Sequence, residues 1–162
     1  MAVIAAAAGV SKALVHYHFA DRATLFADIA MRLGRRIVAR EASATTSAMP
    51  SATGAHVVDA LRAWLQDELE RGEICALLAL GMVREPRVLE ACQRAREFRH
   101  QATTGVVTRT FERLGLTPRL PAALIADTAI ALTDGLALQG GVEAQQAAFD
   151  GFWLAMLNLA ES

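Results

Sequence analysis

Residues 8–22 read Ala8-Gly9-Val10-Ser11-Lys12-Ala13-Leu14-Val15-His16-Tyr17-His18-Phe19-Ala20-Asp21-Arg22. They force the chain through two tight changes of direction. Gly9 takes a positive φ without steric penalty, so the chain can turn sharply there. Ser11 can accept a backbone N–H and open a helix, and Asp21 can do the same for the next one. A short helix from Lys12 to Phe19 is expected between them. Val15 and Phe19, four residues apart, share one face of it and turn inward.

A preceding helix over residues 2–8 is expected to be its partner. Ile4 and Ala8 should face that partner, and Val10 should fill the angle between the two. The outer face then carries Lys12, Ala13, His16 and Tyr17. It offers a cation, a small side chain that permits close approach, and two hydrogen-bonding rings. Those groups suit phosphates and base edges, and a short helix so placed suits a DNA major groove. The expected DNA-binding set is Ser11, Lys12, Ala13, Leu14, His16, Tyr17, His18 and Arg22.

Charge supports a head and a body. Residues 1–40 carry six basic side chains against Asp21 and Asp28, a net +4, while residues 41–162 carry a net −5. A basic end on an acidic body fits a phosphate-binding head joined to something else. Apolar residues make up 54% and aromatics 6% of the chain, the former mostly Ala, Leu and Val. That bias, with little apolar/polar alternation, predicts an all-α fold without strands.

Asp21 should cap a long helix reaching about Ser43, with Leu25, Ile29, Leu33 and Ile37 recurring every four residues. Ser43 to Gly54 reads as a linker or frayed end. Further helices are expected over Ala55–Arg71, Glu73–Arg84, Pro86–Leu114, Pro121–Gln139 and Glu143–Ala160. Gly72, Gly115 and Gly140-Gly141 should stop three of them. Thr117 to Pro121 reads as a turn. The expected division is a head with its connecting helix over 1–43 and a body over 44–162.

Nothing anchors an enzyme, a metal or a cofactor. Cys75 and Cys92 lack the spacing of ligands or a redox pair and read as core filler. His16 and His18 point to opposite sides of a helix and cannot share an ion. Glu97 and His100 have Glu-x-x-His spacing, but a di-iron bundle needs a second copy. No phosphate-binding glycine loop or hydrolase elbow occurs. Met1 to Ala8 lacks the basic leader of a signal peptide, and no run reaches a membrane span. A cytoplasmic protein is the expectation.

The order Ala8-Gly9-Val10-Ser11-Lys12, then His18-Phe19-Ala20-Asp21-Arg22, then Leu25-Phe26 resembles the helix-turn-helix signature of the TetR family of transcriptional regulators. The resemblance covers about residues 4–26. It departs at one ring: the family has Tyr where this chain has His16, and here Tyr17 follows. Either ring could make the phosphate contact that the family gives its Tyr. The family also has a helix ahead of the segment starting at Ile4, so an incomplete head is expected.

The resemblance implies a ligand-responsive regulator, most often a repressor, acting as a homodimer on a palindromic operator in double-stranded DNA. It places Trp64, Met82, Phe98 and Phe111 on helices around a ligand cavity. Few buried charges stand out in the sequence, so a small apolar or aromatic effector is expected. Leu124, Leu132, Leu136, Phe149, Phe152, Trp153 and Met156 exceed what one core face needs, and pairing of these last two helices with a second copy is expected. The alternative is a helical small-molecule-binding dimer that does not bind DNA because its head is truncated.

Overall fold

The computed structural model describes residues 1–47, 54–139, 141–158 and 160–161. The helices are α1 (Ala2–Ala7), α2 (Lys12–His18), α3 (Arg22–Ser47), α4 (Gly54–Arg71), α5 (Glu73–Gly81), α6 (Pro86–Leu114), α7 (Ala122–Leu138) and α8 (Val142–Asn158). The helix boundaries follow local chemistry. Thr24 donates its backbone N–H to Asp21 Oδ1 at 2.7 Å, opening α3. Pro86 occupies the first turn of α6, where its missing N–H costs nothing. Gly115 closes α6 at φ +64°, and Leu116 N–H returns to Phe111 O at 3.0 Å.

Three boundaries differ from the sequence reading. Helix α3 runs on to Ser47, so Ser43 to Ser47 is helical and the rest of the expected linker, 48–53, lies outside the described residues. Burial extends it: Ala44 packs on the main core and Thr45 is buried, its hydroxyl bonded back to Glu41 O. Helix α5 stops at Gly81, three residues short of Arg84, because the chain must straighten before Pro86.

The third difference is local and leaves the all-α fold as expected: the first two residues of the turn at Thr117 are strand. Thr117–Pro118 (β1) pairs antiparallel with Ala160–Glu161 (β2). Apolar packing brings the two segments together. Leu116, Leu120, Met156, Leu157 and Ala160 all close over Val107, Phe111 and Ile125. The last helix therefore ends at Asn158 instead of Ala160.

Helix α3 lies along α6, and their contact is the backbone of the molecule. A Cβ on Gly34 would come within 2.9 Å of Ala95 Cβ, so glycine is what allows this approach. The main core gathers Ala30, Ile37, Leu61, Leu65, Ile74 and Ala95 from α3 to α6. A separate small core joins Ala5, Val15 and Leu25 with Phe19, Phe26 and Ile29. The start of α3 thus packs in the head and the remainder packs in the body.

Candidate functional site

In the head, Gly9 takes φ +66° and Ser11 Oγ accepts the Leu14 N–H at 3.1 Å. Within α2 only Val15 is buried. Ser11, Lys12, Ala13, Leu14, His16, Tyr17, His18 and Arg22 are all exposed, Tyr17 by 83%. The Tyr17 and His18 rings meet edge to face at 5.1 Å, and the Arg22 guanidinium lies 5.7 Å from the Phe26 ring centroid. Two inner positions differ from expectation. Ala8 is exposed and Val10 is 39% exposed, while Ala5 takes the buried place. Helix α1 ends at Ala7, so Ala8 lies in the turn, off the helical face that buries Ala5.

The +4 of residues 1–40 is not all head surface. Arg32 pairs with Asp28 at 2.7 Å and Arg36 with Glu73 at 2.8 Å. Arg40 holds both Glu68 and Glu73. These last two arginines belong to the body, where they tie α3 to α4 and α5. Of the other three cations, Arg35 is exposed farther along α3, and Lys12 and Arg22 lie in α2 and at the start of α3.

The body contains a small cavity walled by α3, α4, α6, α7 and α8, with about 30 Å³ open to the centre of a water-sized sphere. Its apolar wall includes Ile37, Leu61, Trp64, Val106, Phe149 and Trp153. Its polar wall is Glu41, Arg99, Thr103 and Thr133. Thr103 donates its hydroxyl to Glu41, and Arg99 donates to Asp134 Oδ1 at 2.9 Å. Burial is the main reason the Glu41 carboxyl is pushed up to about 7, against the Thr103 bond and the Arg99 charge. The indole N–H groups of Trp64 and Trp153 are buried with no acceptor among the described residues.

The four expected cavity residues are not brought together. Trp64 lines this cavity. Phe111 is buried in the second core with Val107 and Ile125. Met82 is 82% exposed beside an open groove, and Phe98 is 41% exposed on α6. The premise of few buried charges also fails, since Glu41, Glu68 and Arg99 are buried. Glu41 continues the Leu25, Ile29, Leu33, Ile37 repeat by one more step of four. Arg99 and Thr103 likewise continue the Ala91, Ala95 stripe. The signal for a polar cavity wall was there in the spacing.

The aromatic residues expected at a dimer seam mostly serve the monomer. Leu136, Phe149 and Trp153 are buried in its core, and Leu132 and Phe152 pack against it. Met156 packs on the second core. The helical repeat turns these large side chains onto one inner face. Leu124 alone of that set is exposed, at 49%.

Comparison with known proteins bears on the head and on the fold. Residues 1–29 match the N-terminal model of bacterial regulatory proteins, tetR family. No curated protein matches the sequence. A structure described as a TetR-family transcriptional regulator from Mesorhizobium loti superposes with TM-score 0.76 at 18% identity, covering 99% of this chain and 86% of that one. A transcriptional regulator from Rhodococcus sp. RHA1 gives 0.74 at 20% identity, over 99% and 86%. Another described as a transcriptional regulator from the same organism gives 0.74 at 19%, over 98% and 87%.

Proposed function

We propose that this chain, a TetR-family regulator by its head motif and its fold, binds double-stranded DNA as a homodimer and releases it when a small molecule enters the body. The observation that carries the DNA reading is helix α2, where every side chain but Val15 is exposed, Lys12, His16 and Tyr17 among them. Lys12 and Arg22 hold phosphates, one of the His16 and Tyr17 rings adds the phosphate contact that the family gives its Tyr, and Ala13 permits close approach to the bases. A helix this short reads few base pairs, so two heads on a palindrome supply the specificity.

Helix α3 supports the coupling. Its first turns pack in the head core through Leu25, and its later turns form the cavity wall through Ile37 and Glu41. A ligand that fits better when α3 is displaced from α6 also resets the spacing of the two heads. DNA affinity then falls by the ligand's preference between the two arrangements, the behaviour of a repressor.

For dimerisation the outer face of α7 and α8 is the supported surface. Leu124, Ala131 and Leu138 are exposed on α7, and Ala144, Ala147 and Gly151 on α8. A Cβ on Gly151 would meet nothing within 4 Å, so nothing in the protomer requires a glycine there. Close approach of a second copy would.

Selection from a random duplex pool, followed by anisotropy titrations at several salt concentrations, tests the reading. Lys12→Ala should weaken binding to all sequences alike and reduce the salt slope by about one per subunit. If the dimer enriches no duplex at low salt, DNA binding is excluded and the non-DNA-binding helical dimer stands.

A further inference from the structure

We propose that the cavity between α3, α4, α6, α7 and α8 takes a small uncharged molecule with a carbonyl-type oxygen, held by the indole N–H groups of Trp64 and Trp153. The inference rests on the reading that the body holds an effector, and it names that effector's chemistry. Nearly all buried polar groups in folded proteins find a partner. Among the described residues both exceptions lie in side chains that wall this cavity, Trp153 also walling a groove between α4 and α8. An indole nitrogen donates and cannot accept, so the occupant must bring the acceptor.

The rest of the polar wall decides the charge. Arg99 is spent on Asp134, Thr103 on Glu41, and Thr133 on Ile130 O at 3.0 Å. No uncommitted cation remains in the wall for a carboxylate, and Glu41 would repel one when ionised. An ammonium group would satisfy Glu41 and leave both indoles unpaired. Burial keeps the Glu41 carboxyl protonated for much of the time near neutrality, which adds a donor. Ile37, Leu61 and Phe149 call for an apolar remainder.

Size sets the route. The cavity as it stands has room for about two waters. Arg99 is also a wall of an open groove of about 410 Å³ between α5, α6 and α7, shared with Asp134. Arg99 is the one side chain that walls both, so an occupant larger than two waters would have to displace it to reach that groove.

Both tryptophans of the chain line the cavity, so intrinsic fluorescence reports on it directly. Four probes share a ring of one size: cyclopentanone, methylenecyclopentane, cyclopentanecarboxylate and cyclopentylammonium. Cyclopentanone should give a saturable response, and the other three should bind at least about tenfold more weakly. Trp64→Phe and Trp153→Phe keep one aromatic ring and remove the donor together with the pyrrole half of the indole. Each should lower the preference for cyclopentanone over methylenecyclopentane about three- to tenfold, a ratio in which the lost ring volume cancels. Equal binding of ketone and hydrocarbon, a preference for either ion, or no saturable response to the ketone overturns the proposal. Should a variant misfold, the four-probe comparison on the unaltered chain decides alone. Ketone binding that leaves DNA affinity untouched would sink the regulatory reading and keep this one. Release of DNA by another effector, unaffected by both Trp→Phe changes, would do the reverse.

Discussion

Thr103 donates its hydroxyl to the Glu41 carboxyl, lying 3.2 and 3.0 Å from its two oxygens, and both residues are buried. The bond crosses the seam where α3 meets α6. It therefore fixes the turn of α3 that faces the cavity, on the same helix whose first turns pack in the head. A single helix carries part of the cavity wall and part of the head core.

The first prediction concerns pH. Glu41 has an ordinary value of 4.5 and is raised to about 7 in the fold, chiefly by burial. Between those values the folded chain holds a proton that the unfolded chain has lost. Stability is thus greatest below about 4.5 for this group and falls as pH rises through about 7, by on the order of 3 kcal/mol in total. Glu41→Gln keeps an acceptor for Thr103 and removes the titration. Urea unfolding at mildly acidic and mildly alkaline pH should show the fall in the unaltered chain and a flatter profile in the variant. Identical profiles would show that Glu41 is not its source.

The second prediction tests the α3–α6 contact. Alanine is the better helix former by about 1 kcal/mol. At Gly34, however, the added Cβ would sit 2.9 Å from Ala95 Cβ and 3.3 Å from Ala95 Cα. Overpacking of that kind costs about 1–3 kcal/mol. Gly34→Ala should therefore destabilise the chain in chemical denaturation. A gain near the full propensity difference would mean the two helices are not so closely seated.

A third prediction addresses the ion pairs that hold α3 to α4 and α5. Glu68 is fully buried and accepts from Arg40, whose second partner is Glu73. Glu68→Ala strands a partly buried guanidinium, a loss of about 3 kcal/mol, the low end for a broken buried pair because Glu73 remains. Arg40→Met combined with Glu68→Leu should recover most of it. A double variant no more stable than Glu68→Ala would place the value in the ions themselves.

Much of the fold was legible because its determinants are local. Gly9, Ser11 and Asp21 act within three or four residues of themselves, and α6 begins and ends where Pro86 and Gly115 put it. What escaped depends on distant partners. The β1–β2 pairing needs residues 117 and 161 in register, which no local window shows. The cavity residues escaped for a related reason. Trp64 and Phe111 look alike in sequence, and only packing sends one to the cavity wall and the other to the second core. Glu41 and Arg99 had the spacing of buried positions, but their charge argued for solvent until partners were seen. Trp153 misled in the opposite sense, since a large aromatic stripe serves a core as readily as an interface.

That last correction moves the dimer seam, and the fourth prediction follows it. The face of α7 and α8 turned away from the core carries mostly small and apolar residues around Asp127 and Thr128, with Leu124 exposed by 49% and Gly151 open. A carboxylate at open Gly151 or half-exposed Leu124 can reach solvent in a single protomer, so it should leave the fold standing. In a dimer it would be buried without a partner. Leu124→Glu and Gly151→Glu should each weaken association by about 2 kcal/mol or more, roughly thirtyfold. Trp153→Phe should leave association intact while touching stability, since its ring is in the monomer core. Sedimentation equilibrium at micromolar concentration separates the cases. The unaltered chain should run at twice its 17.3 kDa and the two Glu variants near that mass. A dimer indifferent to both Glu changes but broken at Trp153 would restore the aromatic seam, and an unaltered monomer would remove the geometric basis for reading a palindrome.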